Sequence, residues 1–216
     1  MGFKTFTLFA YDVPGYFGTA PKHDPRKAQE LIIQLGLSNY ELVSATSSLN
    51  AYPGEGDLYI GAYEHGVVIA HLELLASLLD QPQRDRNFGT KAYDPEFAQR
   101  FLALYPKGEV LALVLHSVVN LWGFSVHRNG KLVRCVSAAD SEFHGAVGDP
   151  LPEELPLLKE HPIQTLDEEG LGEDLVFDVA ARALGHRYDE VDLREILICS
   201  HYRKMSGLKA LLKRFF

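Results

Sequence analysis

An α+β fold, with a mixed, mostly antiparallel sheet carrying two β-hairpins and helices packed on it, is what this sequence predicts. Three observations lead there. Asn129-Gly130 sits between two β-rich runs, and this residue pair tolerates the positive φ angles of a tight type I′ hairpin turn. Residues 109–116 form a near-continuous apolar run, the mark of a strand covered on both faces. Asp-Pro occurs twice, at Asp24-Pro25 and Asp94-Pro95, each time before apolar residues at helical spacing.

Taken in order, residues 3–10 read as a first strand, with Phe and Thr giving β character. A loop rich in Gly and Pro leads to Asp24-Pro25, which opens a helix carrying Ala28, Leu31, Ile32 and Leu35 on one face, with Gly36 placed to end it. Residues 40–46 suit a second strand. Residues 58–71 suit a hairpin turning at His65-Gly66, with Leu58, Ile60, Ala62, Val67, Ile69 and His71 on one face and Tyr59, Gly61, Tyr63, Val68 and Ala70 on the other. Residues 72–79 suit a short helix, and residues 81–90 read as polar and irregular. Asp94-Pro95 starts a helix with Phe97, Phe101 and Leu104 as its buried stripe. In the main hairpin, residues 121–138, a two-residue turn at Asn129-Gly130 sets Ser125 opposite Arg134. It puts Trp122, Phe124, Val126, Val133 and Cys135 on the core face. Residues 140–162 are broken by prolines and carry a short helix at best. Residues 172–184 form a helix with Glu173 and Asp174 at its start and Gly185 at its stop. Residues 194–201 suit a last strand, and residues 206–216 a basic helix capped by Ser206, with Leu208, Leu211, Leu212 and Phe215 as its stripe.

The chain has 216 residues, 46% hydrophobic and 23% charged, which suits one globular domain spanning 1–216. No apolar stretch approaches the roughly 18 residues of a membrane span, and the start does not read as a secretory signal, so a cytoplasmic location is expected. Cys135 and Cys199 both lie in apolar runs and read as reduced core thiols. Charge is unevenly placed. Residues 140–192 hold 15 acidic and 3 basic residues, 3 − 15 = −12, within a chain of net charge −8. Such a chain is a poor nucleic-acid binder, and the acidic segment 140–192 is a candidate contact surface for a basic protein partner.

The middle of the chain resembles an uncharacterised bacterial family, one of the domains of unknown function. The resemblance rests on His116-Ser117-Val118-Val119, Gly130-Lys131-Leu132-Val133-Arg134 with Ser137, Gly148-Asp149-Pro150-Leu151-Pro152 with Glu154, and His161-Pro162. It spans residues 116–162 and implies no activity, cofactor or partner.

Candidate chemistry is sparse. His116 closes a buried strand, where a general base or a hydrogen-bonded rim histidine would both fit. His127 shares a predicted face with Ser125 and Arg134, beside the small Gly123. Arg134 presents a planar fork suited to a carboxylate or phosphate, although a solvated sheet face reads the same way. The candidate catalytic residues are therefore His116 and His127, and the candidate ligand-binding residues Ser125, Arg134, Trp122 and Glu154. His71 with Glu73, or Glu64 with His65, supplies too few ligands for a metal, so neither metal nor cofactor is assigned. Gly54-Glu55-Gly56-Asp57 lacks the Lys-Ser/Thr of a phosphate-binding loop. Two function classes follow: a non-enzymatic binding or interaction protein, expected first because no complete catalytic set assembles, and a small hydrolase or ligand-binding enzyme using the His/Arg cluster.

Overall fold

The computed structural model describes residues 2–88, 93–140, 142–167 and 170–206. Nine strands among them form one sheet: β1 (Lys4–Tyr11), β2 (Tyr40–Ser48), β3 (Asp57–Ala62), β4 (Gly66–Ala70), β5 (Glu109–His116), β6 (Leu121–Arg128), β7 (Lys131–Ala139), β8 (Glu142–Val147) and β9 (Ile198–Lys204). Their order is β2-β9-β3-β4-β1-β5-β6-β7-β8. Every pairing is antiparallel. The helices are α1 (Pro25–Gln34), α2 (Gln81–Phe88), α3 (Pro95–Leu102), α4 (Leu155–Leu158), α5 (Gly172–Leu184) and α6 (Leu193–Ile196). The fold is α+β.

Both faces of the sheet are covered, and the central strands show it. Leu111, Leu113 and Leu115 of β5 pack under α5 with Val176, Val179, Ala180 and Ala183. Val110, Ala112 and Val114 pack on the other face, with Leu31 and Ile32 of α1 and Phe97 and Phe101 of α3. This double burial is why the run 109–116 lacks alternation. Both Asp-Pro signals mark helix starts. Asp24 Oδ1 accepts from the backbone N–H of Arg26 (2.9 Å) and Lys27 (3.2 Å), and Asp94 Oδ1 from that of Phe97 (2.9 Å).

The two hairpins differ from expectation in instructive ways. β3 and β4 pair Ala62 with Val67, with Tyr63, Glu64 and His65 as the connection, so the register is displaced by two residues from a turn at His65-Gly66. A shift of two keeps every side chain on its predicted face. In β6–β7 the turn is as expected, with positive φ at Asn129 (52°) and Gly130 (72°). A bulge then intervenes: His127 pairs with Leu132 but Val126 pairs with Arg134, leaving Val133 as the extra residue. Beyond it the faces are exchanged. Arg134 joins Trp122, Phe124 and Val126 on the α5 face, and Cys135 lies opposite Ser125 on the α1/α3 face.

Two elements differ outright. Residues 81–88 are a helix, because their polar side chains are used inward. Gln83 donates its amide to the carbonyls of Cys135 (3.4 Å) and Gly145 (3.2 Å), and the Arg84 guanidinium lies 4.0 Å over the Tyr93 ring. A helix buried through polar atoms shows no apolar stripe. Residues 142–147 are the edge strand β8, whose alternation is broken by a register shift at His144. The last strand begins at Ile198 rather than Arg194, since residues 193–196 turn as α6 with Asp192 accepting from the N–H of Arg194. The expected C-terminal helix at 206–216 falls, from residue 207 on, outside the described residues.

Candidate binding cleft at the sheet end

The two candidate catalytic residues do not meet. His116 pairs with Leu121 and His127 with Val110, at opposite ends of the β5–β6 ladder. Six residues of strand separate these positions along β6, about 20 Å at roughly 3.4 Å per residue. His116 packs its ring edge-on to Tyr52 at 5.3 Å. His127 is buried, and burial pushes its pKa down to about 4, so the ring is neutral. Ser125 is fully buried in mid-strand between these positions. The space expected beside Gly123 is filled: a Cβ there would meet Ser137 Cβ at 2.7 Å.

Arg134, Trp122 and Glu154 lie on the opposite face. Glu154 receives Arg134 Nε at 2.9 Å and Nη2 at 2.7 Å, and the backbone N–H of Leu151 at 2.8 Å. Arg134 Nη1 donates to the carbonyl of Gly148 at 2.7 Å. Both side chains are buried, so the fork holds the 148–154 loop onto the sheet and is already occupied. The Trp122 indole N–H donates to Asp167 Oδ1 at 2.6 Å. His71 is equally engaged. Its Nδ1 accepts from the N–H groups of Glu73 (3.0 Å) and Leu74 (3.2 Å), and its Nε2 meets the Tyr40 hydroxyl at 2.7 Å. Among the described residues, no group of three His, Cys, Asp or Glu side chains is placed to hold a metal ion.

A different group of charged residues does converge. At the sheet end formed by the last residue of β1, the first of β5 and the last of β6, a cleft of about 390 Å³ is lined by Tyr11, Asp12, Lys107, Glu109, Arg128, Glu153 and Arg182 among others. Glu109 is its hub. Its Oε1 accepts from the Tyr11 hydroxyl (2.6 Å) and Arg182 Nε (2.8 Å); its Oε2 accepts from Arg182 Nη2 (2.6 Å) and Arg128 Nε (2.8 Å). Arg182 Nη1 reaches Glu153 Oε1 at 2.6 Å. The result is a row of alternating charge, Glu153–Arg182–Glu109–Arg128.

The local sequence explains each position. Register places Tyr11 opposite Glu109, and Glu109 opposite Arg128. Arg182 lies in the last turn of α5, where a cation opposes the helix dipole favourably. Burial raises the Glu109 pKa, but the bonds from Arg182, Tyr11 and Arg128 outweigh it and hold the carboxyl below its usual range. Burial and the Glu109 carboxylate push the Tyr11 phenol far above its ordinary value, so it remains a donor.

Glu109 is therefore a poor proton acceptor: its four lone-pair positions are filled. What the hub does is orient. Among the described residues Arg128 engages Glu109 through Nε, which leaves its terminal nitrogens without a protein acceptor on a half-exposed side chain. Lys107 is exposed beside them and makes no ion pair among the described residues. The lining balances Lys107, Arg128 and Arg182 against Asp12, Glu109 and Glu153, and its floor is fixed by the hub.

Sequence reasoning missed these residues. The available signals were an acid opening an otherwise apolar strand, Glu109, and a lone Arg182 within the apolar stretch 179–184. Both are weak until register brings them together.

Comparison with known proteins adds a family. A family model, described as a family of unknown function (DUF6928), matches residues 5–185. That is far more than the stretch 116–162 that carries the sequence resemblance. The match ends one residue past α5 and omits β9, although β9 lies between β2 and β3. No curated protein and no solved structure matches the chain.

Proposed function

This chain belongs to that family of unknown function, and we propose that it is a non-enzymatic binding protein that takes a small anionic ligand, a carboxylate or phosphate, in the cleft around Glu109. The observation that carries the reading is the Glu109 hub. It fixes Arg182 and Arg128 from behind and leaves the Arg128 fork and Lys107 as donors facing one volume. A planar guanidinium presented edge-on is matched to a two-oxygen anion. The volume falls within the ordinary range for small-molecule sites.

A docking surface for a basic protein at 140–192 has less support. Many acids of that segment are engaged within the fold: Glu142 with Arg86, Glu153 with Arg182, Glu154 with Arg134, and Asp174, Asp178 and Asp189 with Arg187. The enzyme reading has less support still, since His116, His127 and Arg134 sit at two sheet ends and on two faces. No helix among the described residues is long and apolar enough to cross a membrane.

Isothermal titration with inorganic phosphate and with citrate tests the proposal. Saturable one-to-one binding is expected, weakened about tenfold or more by Arg128→Ala, in line with about 1.5–3 kcal/mol for a charged hydrogen bond. Binding by neither anion, or binding unchanged in Arg128→Ala and Lys107→Ala, would overturn it.

A further inference from the structure

The chain leaves the sheet at the corner between α1 and β2. β9 ends at Lys204, which pairs with Tyr40. Beyond it the backbone N–H of Met205 donates to the carbonyl of Asn39 at 2.8 Å, in the connection from α1 to β2. Two large apolar side chains stand exposed beside this exit: Ile33, in the last turn of α1, at 72%, and Leu42, on β2, at 49%. Register places Leu42 on the side of the sheet that α1 covers. Leu42 pairs with Tyr202 and follows Tyr40 by two residues, so it shares their face. Tyr40 and Tyr202 pack there with Leu31 and Ile32 of α1. Glu30 lies three residues before Ile33, beside it on the helix surface, and is exposed. The corner is apolar with an acidic neighbour.

Residues 207–216 continue from this corner. Their sequence sets Leu208, Leu211, Leu212 and Phe215 at helical spacing, and it holds Lys209, Lys213 and Arg214 with no acid. A helix of this length is marginal without tertiary contacts, so the stripe calls for an apolar surface within reach. At 1.5 Å per residue it would span about 15 Å. Leu42 follows Asn39 by three residues, about 10 Å along the strand. The acid-rich stretch that begins near β8 is far from the exit: β8 stands seven positions from β9 in the sheet, about 34 Å at roughly 4.8 Å per strand.

We infer that the α1–β2 corner is the docking surface for residues 207–216 of the same chain, with their apolar stripe on Ile33 and Leu42 and a basic side chain beside Glu30. The chain carries the cover for its own exposed apolar corner, and the basic residues return to a body that makes the whole chain net −8. A basic, apolar-striped segment also suits an anionic lipid surface. The intramolecular seat is favoured because the apolar corner and the exit of the chain coincide, so that tethering raises the effective concentration of the segment at the corner.

A nitroxide placed on the full chain through Ala210→Cys, read by amide NMR, tests this. Both native cysteines are buried, so the introduced thiol is the one that reacts. Line broadening is expected at the amides of Ile33, Gln34 and Leu42, and none along β8. Tethering alone brings the label near Asn39, so the decisive reading is how the broadening responds to substitution. Ile33→Asp with Leu42→Asp, both at exposed positions, should remove most of it. Leu211→Asp, which leaves the described domain untouched, should do the same. Broadening at Ile33 and Leu42 that survives these substitutions would overturn the inference, as would broadening strongest elsewhere on the domain. A chain that sediments with phosphatidylserine vesicles while none of these amides is broadened in free solution would assign the segment to a lipid surface instead, and would overturn it too.

Discussion

Arg134 and Glu154 are buried together, and at that depth each charge depends on the other. Removing one partner leaves an uncompensated buried charge, while removing both leaves a hole that apolar side chains can fill. Glu154→Gln should therefore destabilise the fold by about 3–5 kcal/mol, and Arg134→Met with Glu154→Leu should recover most of that loss. Urea denaturation of the two variants measures it. Histidine protonation gives a second residue-scale outcome. His71 and His127 both have folded pKa values lowered to about 4, against an ordinary 6.5. Between those values the unfolded chain binds the protons and the folded chain does not. Stability is thus fully present above pH 6.5 and is lost as pH falls toward 4, by at most about 3 kcal/mol per residue at about 1.4 kcal/mol per pKa unit. Melting temperatures across this window should fall with pH, and His127→Gln should flatten part of the slope. A melting temperature constant from pH 7 to 4 would show that the rings are not held neutral.

At the scale of elements, what was legible in the sequence followed one rule: apolar periodicity and turn chemistry reveal elements stabilised by apolar burial. The strand 109–116, the helices opening at Asp24-Pro25 and Asp94-Pro95, and the Asn129-Gly130 turn all obey it. α2 does not, because Gln83 and Arg84 are its buried residues. The β6–β7 bulge escaped for another reason. Both residues at the point of slippage, Val126 and Val133, are β-branched, and neither marks a break in pattern. A single extra residue then moved Arg134 from one face to the other, so the proposed neighbourhood of Ser125, His127 and Arg134 dissolved with it. The start of α5 carries a close contact that can be tested. A Cβ on Gly172 would fall 2.1 Å from the Trp122 ring. Gly172→Ala should displace the indole, weaken its bond to Asp167 and cost about 1–3 kcal/mol. Trp122 is the sole tryptophan, so its fluorescence reports the change directly; an unchanged spectrum and unchanged stability would contradict this packing.

Across the whole molecule, the sheet is a partition between two apolar cores, and the proposed cleft lies at one of its ends rather than at its centre. Its middle is apolar on both faces. Its edges, β2 and β8, each carry register breaks that disrupt a regular row of free backbone groups. The charged cleft around Glu109 draws on β1, β5, β6 and α5, elements far apart in sequence, which is why none of it could be read as a motif. The most direct test of the account is an amide NMR titration of the protein with inorganic phosphate, mapped residue by residue. The account predicts saturable shifts concentrated at Lys107, Gly108, Arg128 and Asn129. Shifts concentrated instead at His116, or at Ser125 and His127, or no saturable shifts at all, would contradict it.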